Sequence, residues 1–449
     1  MMTAAAKRGA MSIEPSTAMT SQPPIGAARF RQIGPGLLAA ATGVGAGDLV
    51  ATMVAGARFG TVLLWAAVLG AVLKLALAEG VGRWHLASDT TLLDGWRRLG
   101  HWATVFFGIY IVIWGFVYGA TAMSAVGLPL NALFSGLSVR YWAMIAGLVG
   151  LALVWAQRYA VFEKFMTVLV AVKFVSVVSV AALVSPDLDA LANGLVPRLP
   201  EGSTIYVLSL IGGVGGTITM AAYGYWMFAK GWRGNGWLSM MRWDNTVGYL
   251  MTAIFVIAML VVGAEILLSQ DLTEGDGGLL ILGTALGERY GEWARLLFLI
   301  GFLAVTSTSL LGVWNGVSLL FTDWTRAIRL PHGAQTETAT SLDHQAEAAQ
   351  REYRAEAAQR SLPFRGYLLW LTFPPMLLLF IDRPFALTLV YGVLGAAFMP
   401  FLGATLLLLL NSRRVSREGR SGWLSNILLI AASALFVVLL VTDLVNRLG

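Results

Sequence analysis

Residues 103–127 contain no Asp, Glu, Lys or Arg, and comparable apolar runs recur near 33–55, 61–82, 139–157, 162–184, 203–228, 246–268, 294–321, 366–381, 384–410 and 423–446. Runs of roughly 18 or more apolar residues are long enough to cross a bilayer as helices. A chain built this way has to satisfy its backbone groups inside each segment, so it predicts an all-α integral membrane protein with about eleven transmembrane helices. Composition agrees: 57% of the 449 residues are hydrophobic and 12% are charged, with a mean hydropathy of +0.71. These values describe a polytopic membrane protein and exclude a soluble enzyme.

Two of the runs are interrupted by glycine, at Gly43-Val44-Gly45-Ala46-Gly47-Asp48 and at Gly212-Gly213-Val214-Gly215-Gly216-Thr217-Ile218-Thr219-Met220. Glycine weakens a helix and frees backbone groups, which in a membrane need a partner within the protein. A permeant ion is one such partner, and paired breaks in the two halves of a chain point to a site at the midplane of an inverted repeat. The run order five, five, one predicts a first repeat over 33–184, a second over 203–410 with a cytoplasmic loop at 323–365, and an added C-terminal helix at 423–446. The first and sixth helices are expected to be unwound. Residues 1–32, rich in Ala, Ser, Thr and Pro, read as a disordered cytoplasmic tail.

Lys and Arg fall on one set of connecting segments over the other by roughly three to one, which places the N-terminus in the cytoplasm and the C-terminus on the opposite side of a bacterial-type plasma membrane. The net charge of +6 reflects that topology and gives no support to nucleic-acid binding. With no cysteine, disulfides and thiolate metal sites are excluded. A near-repeat at Ala346–Gln350 and Ala355–Gln359 reads as a polar surface helix without chemistry.

Asp48, Lys74, Glu79, Lys173 and Glu265 fall within the runs, with Glu163 and Asp244 near their ends. An ionisable group in the membrane is a functional candidate. Asp48 could complete a hard-cation site together with unwound carbonyls, or cap the following half-helix. Glu265 is expected either to pair with Lys74 or Lys173 or to relay protons. Lys74 and Glu79 are five residues apart, so they do not face each other and each needs a partner elsewhere. The four histidines lie in predicted cytoplasmic regions. Met220 is either core packing or a soft ligand.

At these residues the chain resembles the Nramp family of proton-coupled divalent-metal transporters. Gly34-Pro35-Gly36-Leu37-Leu38, Gly45-Ala46-Gly47-Asp48 and Ala55–Gly60 resemble the family's first helix and the start of the second. Gly216–Ala222 resembles the break of its sixth helix, and Leu130–Phe134 and Met399-Pro400-Phe401 resemble its third and tenth helices. Aligned without gaps, the family's metal-binding Asp falls on Gly45 and its metal-binding Asn on Asp48. Its methionine is kept as Met220, while groups associated with proton relay become Ala122, Ala222, Met227 and Gly392.

The resemblance implies a LeuT-type fold and a divalent-cation site made by Asp48, Met220 and the carbonyls of Gly45 and Ala46, with no cofactor. The function expected is alternating-access transport of a divalent cation such as Mn²⁺ or Fe²⁺, with Mg²⁺ as a variant. Alternatives are a small organic cation or amino acid held by Tyr223, Tyr225, Trp226 and Tyr391, and a non-transporting sensor read out by the loop at 323–365. No clustered His, nucleophile motif or phosphate loop supports an enzyme.

Overall fold

The computed structural model describes residues 32–448 except 157–158, 186, 214, 268–276, 330–357, 382–383 and 414, together with residues 23, 26 and 29. Nearly all of the expected N-terminal tail and the expected surface helix around the 346–359 near-repeat lie outside the described residues.

Among the described residues the protein is helical throughout, without a strand. In chain order the helices are α1 (Pro35–Gly43), α2 (Ala46–Phe59), α3 (Leu64–Ser88), α4 (Leu92–Leu99), α5 (His101–Leu133), α6 (Val139–Ala156), α7 (Tyr159–Leu183) and α8 (Leu188–Gly194). They continue with α9 (Thr204–Gly213), α10 (Tyr223–Ala229), α11 (Leu238–Leu267), α12 (Gly277–Tyr290), α13 (Glu292–Arg329), α14 (Leu362–Met376), α15 (Pro384–Leu410) and α16 (Trp423–Leu448). Among the described residues each run read as a span contains helix, interrupted in the first and sixth runs at their glycines. Among the described residues seven helices are long and apolar enough to cross a membrane, with shorter apolar helices at 397–410 and 423–438. The two glycine-broken runs fall short of that length because each is split, into α1 and α2 and into α9 and α10.

α11 and α13 form the centre. α11 packs against α1, α2, α3 and α7, and α13 packs against α1, α5, α7 and α14. The tight crossing of α2 and α11 depends on Gly56 and Gly263, where a Cβ would strike the Leu260 and Met53 carbonyls of the opposite helix. Small residues at such a crossing let backbones approach closely enough for dispersion to hold them where no hydrophobic driving force operates. The outer helices show the complementary pattern. On α5 the exposed residues Trp102, Val105, Phe106, Ile109 and Ile113 recur at helical spacing, as do Val161, Phe165, Val168 and Val175 on α7. Apolar stripes of this kind face lipid.

α4 is an element that the apolar pattern does not announce. Its start is fixed by a capping box in which Thr91 Oγ1 accepts from Asp94 N at 3.2 Å and Asp94 Oδ2 accepts from Thr91 N at 3.4 Å. Two orphan donors are satisfied reciprocally. Asp94 also pairs with Arg326 at 2.9 Å, tying α4 to the end of α13.

Candidate functional site

α1 ends at Gly43, and Val44 turns to extended backbone with φ −95° and ψ 102°. α2 starts at Ala46, with Leu49 N donating to Gly45 O at 3.2 Å. In the second break α9 ends at Gly213, Gly215 and Gly216 take φ of +75° and +90°, and a 3₁₀ turn over Ile218–Ala222 leads into α10. Only glycine adopts such φ values without strain. The two breaks touch backbone to backbone, since a Cβ on Gly43 would overlap Gly216 N and the Gly215 carbonyl carbon.

The carbonyls freed at the breaks are held by side chains from the surrounding helices. Lys173 Nζ on α7 donates to Ala41 O at 2.9 Å and to Thr308 Oγ1 on α13 at 3.4 Å. Ser309 Oγ on α13 donates to Thr42 O at 3.0 Å and shares a 2.7 Å hydrogen bond with Tyr118 OH on α5. Across the gap, Tyr249 OH on α11 donates to Gly215 O at 3.0 Å, and Lys74 Nζ on α3 donates to Gly216 O. Each ammonium also lies near an aromatic ring, Phe255 for Lys173 at 5.8 Å and Phe436 for Lys74 at 5.7 Å.

Glu265, expected either to pair with Lys74 or Lys173 or to relay protons, is half-buried near the end of α11. Glu79 ion-pairs with Arg83 and with Arg242 at 3.0 Å, so Lys74 and Glu79 do find separate partners. Of the carbonyls expected to line a metal site, Gly45 O takes part in the first hydrogen bond of α2. Asp48 lies in the first turn of α2, and Ala46 is its first residue; their side chains lie outside what the structure describes. Met220 is fully buried in the 3₁₀ turn.

Among the described residues no group of three or more His, Asp or Glu could hold a metal ion. Buried hydroxyls do flank the breaks. The hydroxyls of Thr42, Thr217 and Thr219 are buried without a hydrogen-bond partner, and all three flank the breaks. Such orphaned groups are rare in folded proteins and call for an explanation.

Three of the four residues of the expected aromatic wall are hydrogen-bonded to neighbouring helices. Tyr223 OH donates to Asp244 Oδ2 at 3.1 Å, Tyr225 OH to Asp323 Oδ2 at 2.5 Å, and Trp226 Nε1 to Asn315 Oδ1 at 3.1 Å. Tyr391 packs instead against Tyr118, with ring centroids 5.1 Å apart.

Of the residues that hold the breaks, Thr308, Ser309 and Tyr249 were not anticipated. The run Thr306-Ser307-Thr308-Ser309 in an otherwise apolar span was the available signal, because hydroxyls at membrane depth need an acceptor. Tyr249 carried no signal.

Split half-helices meeting between scaffold helices define the class as a membrane-embedded LeuT-type fold. The sequence matches the Nramp family, described as natural resistance-associated macrophage protein-like, over residues 36–446. The chain belongs to the Nramp family. It is 24% identical over 302 residues, 64% of this chain and 69% of the relative, to the divalent metal cation transporter MntH of Mycobacterium tuberculosis. An uncharacterized membrane protein of Bacillus subtilis, YcsG, is 28% identical over 157 residues, 34% of this chain and 38% of that protein. Among solved structures, a manganese transporter of Eremococcus coleocola superposes with a TM-score of 0.69 at 16% identity, covering 94% of this chain and 89% of that one. The nucleobase-cation-symport-1 family transporter Mhp1, in a closed conformation, superposes with a TM-score of 0.53 at 14% identity over 94% of each chain.

Proposed function

We propose that this protein is a secondary transporter that moves a divalent metal cation, Mn²⁺ or a close relative, by alternating access. The cation passes between the two breaks while α1–α2 and α9–α10 rock against α3, α7, α11 and α13. The observation that carries the reading is the backbone contact of the two breaks, flanked by three buried hydroxyls without partners and by Met220. Family membership and the name of the M. tuberculosis relative support the choice of substrate.

Asp48 supplies the carboxylate, and the threonine hydroxyls supply neutral oxygens. Met220 tilts the set from Mg²⁺ towards a softer transition metal, because thioethers bind hard ions poorly. The organic-cation alternative loses support, since three of its four aromatics are tied to other helices by hydrogen bonds.

The test is Mn²⁺ uptake into proteoliposomes. Wild type is expected to show saturable uptake, Asp48→Ala to fall to the level of protein-free vesicles, and Met220→Ala to keep uptake with a lower preference for Mn²⁺ over Mg²⁺. Uptake that is unchanged in Asp48→Ala, or absent from wild type, would overturn the metal reading.

A further inference from the structure

We infer that His85 is a proton-operated latch on α10: neutral, it holds α10 against α3, and protonated, it parts the two and opens the cytoplasmic side of the second break. The inference rests on the transporter reading only in taking α10 as an element that moves.

His85 stands near the end of α3, in a stretch whose sequence reads as cytoplasmic, yet it is only 2% exposed. Its ring is wedged against α10. The ring centroid lies 3.4 Å from that of Phe228, and Gly224, one turn earlier on α10, has no room for a side chain, because a Cβ there would come 2.7 Å from His85 Nδ1. A narrow cleft beside the ring is lined also by Val81, Thr91, Tyr225 and Ala221. Ala221 lies next to Met220 in the 3₁₀ turn of the second break, so the latch borders the proposed path of the cation.

This packing fits a neutral imidazole. A neutral ring carries one N–H and an imidazolium carries two. The Thr90 backbone gives the ring a hydrogen bond, whereas Nε2 is buried without a partner. A charged His85 would also share the Phe228 ring with Arg233, whose guanidinium lies 4.7 Å from its centroid. Carboxylates on the surrounding elements are engaged by arginines: Asp89 by Arg233 at 3.6 Å, Asp94 of α4 and Asp323 of α13 by Arg326 at 2.9 and 2.6 Å, and Glu79 of α3 by Arg83 and Arg242. The phenols of Tyr225 and Tyr223 on α10 donate to Asp323 and Asp244. A second N–H on a charged ring therefore needs water, since a buried ion without a partner is not sustained, and water reaches Nε2 when α10 lifts away. Protonation and lifting are linked, each favouring the other. Solvated histidine titrates between about pH 5 and 8, so the hold of α3 on α10 is complete above that range and is lost as the pH falls through it. Acid on the cytoplasmic side thus biases the carrier towards opening there.

The chain has no cysteine, so Val81→Cys places a single thiol in the cleft at a buried position. Purified protein with chelator is treated with the neutral reagent methyl methanethiosulfonate from about pH 8 down to about pH 5, the range of the histidine titration. Val81→Cys alone is the parent, and dividing its rate at each pH by that of a version carrying His85→Gln cancels the thiol's own titration. The parent is expected to match the Gln version at the alkaline end and to react about tenfold faster at the acid end, the change that one proton supplies over a pH unit. A version carrying His85→Arg, charged throughout, should react fast at both ends.

A parent-to-Gln ratio that does not change with pH would overturn the proposal, as would an Arg version as well protected as the Gln version. If the substituted proteins are not monodisperse, hydrogen exchange of wild type over residues 223–229, corrected at each pH for the intrinsic rate, decides the matter: exchange that quickens with acid while the middle of α11 stays protected supports the latch, and exchange that does not quicken overturns it. No metal is present and no uptake is read, so this outcome stands apart from that of the uptake test.

Discussion

Lys74 and Lys173 show how a buried ammonium in a membrane interior can reach backbone carbonyls that become available where glycine interrupts a helix. A hydrogen bond from a charged donor contributes about 1.5–3 kcal/mol, and one from a neutral donor about 1 kcal/mol. Lys74→Met is therefore expected to lower the thermal transition in detergent more than Tyr249→Phe does, since both act on neighbouring carbonyls of one break. Equal shifts would show that charge adds nothing there. Gly216→Ala forces φ +90° onto a residue with a Cβ against Gly43, adding roughly 1–3 kcal/mol of backbone strain to a steric clash. A thermal melt indistinguishable from wild type would contradict the backbone contact of the breaks. The sequence pointed to Gly216 and to both lysines as special, because glycines and charges are conspicuous in an apolar run. It did not reveal that they were partners, because a hydrogen bond to a backbone carbonyl leaves no complementary residue type to find.

The half-helices need caps that ordinary helices find in their own sequence. α1 has no side-chain cap of its own. Asp244 of α11 supplies it, accepting from Gly34 N at 2.9 Å and from Gly36 N at 2.5 Å, with Tyr223 of α10 as third donor. Lys230, just after α10, pairs with Glu163 of α7 at 2.7 Å and donates to Gln32 O at 3.0 Å and Ile33 O at 3.3 Å. The first element expected to move in transport is thus fastened at its start by α7, α10 and α11. Asp244→Asn is expected to weaken that end by about 1 kcal/mol, the usual worth of an N-cap. Hydrogen exchange should quicken over residues 34–38 while the middle of α11 stays protected, and uniform protection would mean that Asp244 is not what holds α1. The breaks themselves were legible from glycine alone, and the helices from apolar length. The cross-molecule caps were not, since Gly34 and Asp244 lie 210 residues apart and no local pattern connects them.

At the scale of the molecule, apolar faces on α5 and α7 turn outward and charges gather at helix ends or around the breaks, as a bilayer solvent requires. The family and its fold were readable from motifs spread along the chain, because the order of helices and breaks survives even where the ligands have changed. The chemistry of the site was less so. Thr217 and Thr219 lie in the stretch that resembles the sixth-helix break, but nothing in the sequence shows that their hydroxyls are left without partners. The central claim is that a divalent cation binds between the breaks through Asp48. Isothermal titration of Mn²⁺ into purified wild type and Asp48→Ala tests it most directly: the account predicts saturable binding to wild type that disappears in the variant, and either no binding to wild type or undiminished binding to Asp48→Ala would contradict it.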